Sequence, residues 1–174
     1  KQPLFIKHSK NSSIIMRKLF YSMLAAVLPM MAISMASCNN ENDLPDVTIT
    51  LDVTQGTVVG DTIYVAQGDT IDIAKVVVTN KEEGKDAAIA NVTYYWDGYY
   101  YAPAVFAPYK MIFPTSENTP VGKHSIDLTC NVLAVDKSLA SAIVTFPVKV
   151  VASKEDIPMT RSAGRISADS QLKN

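Results

Sequence analysis

The chain has 174 residues, 48% of them hydrophobic and 19% charged, with two Cys, two His and a formal net charge of −1. That length accommodates one ordinary domain with appendages and excludes a large multidomain enzyme. A near-neutral balance argues against a nucleic-acid binder, which needs a basic face for phosphates, and two Cys at this spacing supply neither a disulfide framework nor a zinc site.

The N-terminal segment differs sharply from the rest. All seventeen acidic residues lie at Glu41 or beyond, whereas Lys1, Lys7, Lys10, Arg17 and Lys18 are the only charges before it. Leu19 to Ser37 carries no charge, and five of the seven Met fall between Met16 and Met35. A basic start, an apolar run and small residues before a cut site predict a secretory signal peptide over residues 16–37, with residues 1–15 an upstream extension or a start-site artefact. A spanning helix would need about 20 apolar residues and a basic stop after them. Here Pro29 and several Ser interrupt the run, and no Lys or Arg follows it.

The end of that run, Met35-Ala36-Ser37-Cys38, resembles the lipobox of bacterial lipoproteins. The resemblance implies a diacylglyceryl group on the Cys38 thiol, cleavage just before it and acylation of the new amine. More than one acyl chain is needed for stable anchoring, since each buried CH2 contributes only about 0.8 kcal/mol. Loss of residues 1–37 removes five basic residues and no acid, leaving 11 Lys/Arg against 17 Asp/Glu and a net charge of −6. Nucleic acid and anionic lipid surfaces are then both disfavoured, so membrane attachment rests on the lipid at Cys38. Residues 38–46, rich in Asn and acids, read as a flexible acidic tether. The stretch resembles the post-Cys acidic signal of lipoproteins from Gram-negative gut anaerobes. That implies a place in the outer membrane facing the cell surface, with the periplasmic face as the alternative.

From Val47 the pattern alternates with period two and is rich in β-branched residues. Strands are expected at 47–53, 57–65, 70–79, 90–97, 99–102, 109–113, 123–135 and 142–151, with a charged loop at 81–86. Asp97-Gly98 is a hairpin signal because Gly accepts positive φ. Gly60-Asp61-Thr62-Ile63 recurs as Gly68-Asp69-Thr70-Ile71, too short a repeat for a solenoid and read as two strand starts. With no segment of helical period between strands, the fold class is all-β: an antiparallel sandwich of about seven strands over 47–151. Residues 152–174 hold few apolar side chains and no aromatic, which predicts a disordered tail.

Val92-Thr93-Tyr94-Tyr95-Trp96-Asp97-Gly98, Ala107-Pro108-Tyr109, Gly122-Lys123-His124-Ser125-Ile126 and Ala134-Val135-Asp136 follow one another in an order that resembles the bacterial Ig-like domains of adhesins, exported glycosidases and surface lipoproteins. The resemblance spans 47–151 and implies an Ig-like β-sandwich. Such a scaffold serves many uses and names no ligand.

The aromatic run is the main candidate for function. Alternation puts Tyr94 and Trp96 on the inward face, so both are expected in the core, with Cys130 a small buried hydrophobe among Leu128, Val132 and Ala134. Tyr95, Tyr99, Tyr100 and Tyr101 cannot all be buried, and they form the candidate ligand-binding set: a stacking platform for a glycan or a contact for a protein partner. Asp97, Asp127 and Asp136 lack the local spacing of a calcium loop, so no metal is expected. His124 opens a strand, where hydrogen bonding to nearby backbone is expected of its imidazole. A single His after Cys38 leaves little for a nucleophile–base pair, and no acid sits in an apolar context suited to glycoside hydrolysis. No catalytic residue and no cofactor are therefore expected. Asp61-Thr62-Ile63 and Asp69-Thr70-Ile71 resemble an acceptor for bacterial O-glycosylation. The expected function is a non-enzymatic, lipid-anchored surface binding or adhesion module, with a structural or assembly subunit of an envelope complex as the alternative.

Overall fold

The computed structural model describes residues 44–133, 139–159 and 164–173, so the segment expected to be a signal peptide, Cys38 and Asp136 lie outside the described residues. Among the described residues ten strands are formed: β1 (Asp46–Gln55), β2 (Thr57–Val59), β3 (Thr62–Ala66), β4 (Thr70–Asn80), β5 (Ala88–Trp96), β6 (Tyr99–Ala104), β7 (Met111–Pro114), β8 (Gly122–Leu133), β9 (Leu139–Val151) and β10 (Arg165–Gln171), with a 3-10 turn at Lys154–Asp156. They build two sheets, one ordered β10-β1-β4-β7 and the other β2-β3-β9-β8-β5-β6. Every pairing is antiparallel except β3 with β9. The architecture is an Ig-like β-sandwich.

The core follows from the alternation. Val47, Ile49 and Leu51 of β1 and Ile71 and Ile73 of β4 face Val92 and Tyr94 of β5, Ile126, Leu128, Cys130 and Val132 of β8 and Val144, Phe146, Val148 and Val150 of β9, all buried. Each such aliphatic side chain contributes about 1.5–3 kcal/mol by leaving water. The intervening residues face out and are mostly Thr, Ser, Asn, Asp and Lys, with Ala74, Tyr95, Ile143 and Pro147 among the exceptions. Trp96, expected in the core, is only partly buried and packs at its rim, while Tyr94 is fully buried within it.

Two strand expectations, at 57–65 and at Tyr109, are corrected, and the two strand starts hold. The run 57–65 is two strands, because Gly60 at φ 61° turns the chain back and β2 pairs with β3. The two Gly-Asp-Thr-Ile copies do open strands, yet β3 and β4 belong to different sheets. Tyr109 is not in a strand but in the 105–110 loop, at φ 63° and after a cis Ala107–Pro108 bond. That left-handed backbone is held from three sides. The Tyr109 amide donates to Phe106 O at 2.9 Å, its hydroxyl donates to the Ile89 carbonyl, and its carbonyl accepts from the Tyr94 hydroxyl at 2.6 Å.

The largest correction concerns the tail. Residues 165–171 form β10, which pairs with the outer edge of β1 from Asp46↔Gln171 to Asp52↔Arg165. An edge strand needs only one apolar face, so Ile166, half-buried Ala168 and Leu172 suffice to fasten it. Polar ties supplement them: Arg165 to Asp52 at 2.7 Å, Thr48 to Asp169 at 2.7 Å and Lys81 to Asp169 at 2.7 Å. Ser170 reaches across to the Ile143 carbonyl of β9 at 3.1 Å, and Lys173 exchanges backbone hydrogen bonds with Ser141. β10 thus bridges both sheets.

Candidate functional site

The aromatic hairpin β5–β6 is built on a two-residue turn, Asp97-Gly98, with φ of 51° and 78° at the two positions. Two successive positive φ values match the right-handed twist of the flanking strands, and Asp-Gly tolerates them. The turn is gripped from β8. The Asp97 amide donates to Ser125 O at 3.1 Å, and Asp97 Oδ1 accepts from the Ser125 amide at 2.8 Å. Asp127 Oδ2 accepts from the Gly98 amide at 3.1 Å and from Ser125 Oγ at 3.0 Å, and Oδ1 accepts from Thr145 at 2.7 Å. Both Asp residues are therefore committed to shaping the hairpin. Among the described residues no cluster of His, Cys, Asp or Glu has the makings of a metal site.

His124 completes the grip. Its Nδ1 lies 2.7 Å from Asp97 Oδ2, its Nε2 lies 2.8 Å from the Pro120 carbonyl, and its ring stacks on Trp96 at 5.4 Å. Burial opposes the charged ring. The hydrogen bond and charge of Asp97, with the Pro120 carbonyl, outweigh it and raise the imidazole above its ordinary pKa.

The four candidate Tyr do not act alike. The register shifts between Tyr94 and Tyr95, so that β6 carries one extra residue and its facing changes there. Tyr101, 40% exposed, turns back on Phe113 at 4.6 Å, and its hydroxyl donates to the Ile112 carbonyl at 2.9 Å, linking the edges of the two sheets. It is a packing residue. Tyr95 is half-buried and meets Tyr100 edge to face, 6.2 Å apart at 83°. Tyr99 and Tyr100 remain free at 79% and 65% exposure. The set is no planar row but two projecting phenols on a fixed turn.

Cys130 is fully buried, and burial pushes its thiol up to about 12, which leaves it inert at neutral pH. Burial, with Cys130 close by, likewise pushes the Tyr94 phenol up. Phe106, 83% exposed, tips the 105–110 loop at the other end of β6, roughly 20 Å from Tyr99 at about 3.3 Å per residue. A notch of about 160 Å³ between Trp96, Tyr101, Phe113, Pro114 and Thr119 is walled by rings already packed on one another. A wider depression of about 820 Å³ is lined by Gln55, Tyr64, Asp69, Thr70 and Lys154, with Asp69 ion-paired to Lys154 at 3.1 Å. Thr62 and Thr70, the suggested acceptors, are both half-buried, and the Thr62 hydroxyl donates to Asp61 at 3.0 Å.

Sequence reasoning missed the Asp97–His124 pairing. Antiparallel pairing of β5 with β8 sets Trp96 opposite Ile126, which puts the Asp-Gly turn beside the Gly-x-His strand start. That register was the available signal.

No family model matches the chain, and no curated protein sequence matches it. Among solved structures it is similar to a fibronectin(III)-like module of CbhA from Clostridium thermocellum, at 16% identity and a TM-score of 0.35, covering 59% of this chain and 94% of that one. The fold assignment rests on the strand pairing itself.

Proposed function

We propose that this protein is a non-enzymatic, lipid-anchored envelope protein whose sandwich binds a protein partner through Tyr99 and Tyr100. The observation that carries the reading is two large aromatic side chains held out from a turn that β8 fixes through hydrogen bonds donated by Ser125 and His124 and one accepted by Asp127. Exposed Tyr on a rigid turn contributes contact area with little ordering entropy left to lose on binding. The edge-to-face pair Tyr95–Tyr100 is not the flat platform that a pyranose ring stacks on, which favours a protein ligand over a glycan. Contact through side chains rather than strand addition fits the open edges. β6 carries Pro103 and an extra residue, and β7 ends in Pro114.

Residues 44–174 contain every core residue described, so they serve as the soluble test protein. Pull-downs from envelope fractions, run beside a glycan array, test the reading. A retained envelope protein whose affinity falls at least tenfold in Tyr99→Ser/Tyr100→Ser, about 1.4 kcal/mol, supports it. Binding indifferent to that change, or binding to glycans alone, contradicts it. Anchoring is tested on the full chain. Labelled palmitate is expected on the wild type, with precursor accumulating under globomycin and no label on Cys38→Ala. Unlabelled wild-type protein rules the anchor out.

A further inference from the structure

His124 has acceptors at both ring nitrogens, the Asp97 carboxylate at 2.7 Å and the Pro120 carbonyl at 2.8 Å, and its side chain is only 9% exposed. A carboxylate and a carbonyl have no hydrogen to offer, so both nitrogens must donate, and only the imidazolium carries two N–H groups. A neutral ring sets a nitrogen lone pair against an oxygen and gives up one of the two bonds.

The surroundings of the ring are sparse in charge. The β5–β6 turn contributes Asp97, β5 contributes the Trp96 indole, and the β7–β8 loop contributes the Pro120 carbonyl. On β8 itself Lys123 and Ser125 flank the ring, and Asp127 stands one step further away through Ser125 Oγ. From β9 the partner in register is Val148. Among the described residues Asp97 is the one titratable side chain bonded to the ring.

The two sides that His124 joins are each held by other bonds as well, and the ring is the tie between them. The β7–β8 loop is tied to the end of β3 and the turn after it. Gln67 donates to the Glu117 and Thr119 carbonyls at 3.1 and 2.6 Å, and Thr115 Oγ1 bonds to the Ala66 and Asp69 carbonyls at 3.0 and 2.7 Å. The hairpin turn is held to β8 by Ser125 and Asp127, β6 beyond it is an edge strand, and His124 supplies its bond to the β7–β8 loop.

We propose that His124 is a proton-operated latch, which holds the 97–101 hairpin against the anchored β7–β8 loop while the ring is charged and loosens it when the ring loses its proton. The inference rests on the reading of Tyr99 and Tyr100 as the contact and makes that contact pH-dependent, firmer on the acid side. Because the folded ring binds its proton more tightly than the unfolded one, its stabilisation is complete below the unfolded value of about 6.5 and is lost as pH rises through the higher folded value.

His124 is the only His in residues 44–174, so its NMR titration is unambiguous. The ring is expected to titrate above about 6.5, with both nitrogens protonated at the acid end. Amide exchange at residues 98–101 is expected to rise through that titration several-fold beyond the intrinsic base-catalysed increase. Asp97→Asn should lower the titration midpoint, and His124→Phe should abolish the extra exchange. A ring that titrates at or below the ordinary value, or exchange that follows the intrinsic rate throughout, overturns the latch. If His124→Phe fails to fold, the wild-type and Asp97→Asn titrations decide alone. These readouts involve no ligand, so they fail or succeed independently of the Tyr99 and Tyr100 contact.

Discussion

Removing residues 164–174 is expected to destabilise the sandwich by roughly 3–6 kcal/mol, the burial of Ile166 and Leu172 at about 1.5–3 kcal/mol each. It also bares the β1 edge along the whole register from Asp46 to Asp52. An exposed edge of that length templates pairing with other chains. Urea unfolding of residues 44–163 against 44–174 measures the loss, and light scattering is expected to report association of the shorter form. A milder variant locates the same effect. A Cβ on Gly164 would lie 2.4 Å from the Val53 carbonyl oxygen, a backbone atom fixed in β1. Gly164 O also accepts from the Val53 amide at 2.6 Å. Gly164→Ala must therefore push β10 away from β1 and is expected to lose about 1–3 kcal/mol, the range for forced overpacking. An unchanged urea midpoint in both variants would mean that β10 contributes nothing to the fold.

Tyr94 is expected to be the most sensitive single position in the core. It is fully buried, meets Phe113 edge-on at 5.9 Å, and its hydroxyl donates to Tyr109 O at 2.6 Å. Tyr94→Ala should lose about 3–5 kcal/mol through lost burial and the cavity left behind. Tyr94→Phe keeps the ring and removes only the donor, for about 1–2 kcal/mol. Tyr109→Phe removes the donor to the Ile89 carbonyl and should lose a similar amount. Because the two Tyr support one loop backbone, their effects should combine non-additively in the double variant. Strict additivity in urea unfolding would separate Tyr94 from the 105–110 loop.

The parts of this fold that were legible in the sequence are those where one physical rule acts alone. Ile49, Leu51 and Val53 alternate with polar neighbours because one face of β1 is dry, and period two suffices to read them. Asp97-Gly98 was legible because few other pairs accept two positive φ values in succession. β10 was not, since Ser-Ala-Asp-Ser has the composition of a linker and its strand character comes from β1, 113 residues earlier at the Arg165–Asp52 contact. The break at Gly60 was hidden because the β-branched residues Val58 and Val59 before it and Thr62, Ile63 and Val65 after it read together as one strand. At the candidate site pleat geometry told only that Tyr95, Tyr99, Tyr100 and Tyr101 could not all be buried, and not that Tyr99 and Tyr100 are the two left exposed. The inward turn of Tyr101 depends on the extra residue in β6 and on the nearness of β7, neither of which the local pattern carries.

Tyr99 and Tyr100, on a hairpin fixed by Asp97, Asp127 and His124, are the contact surface proposed for this sandwich. Hydrogen exchange on residues 44–174, alone and with the envelope protein that they retain, tests it most directly. The prediction is new protection concentrated at residues 95–101 and in the facing β8 segment 122–127, with β9 and β10 unchanged. Protection centred on β10, on the outer face of β9 or in the depression around Tyr64 and Lys154, with the hairpin unaltered, would contradict the account.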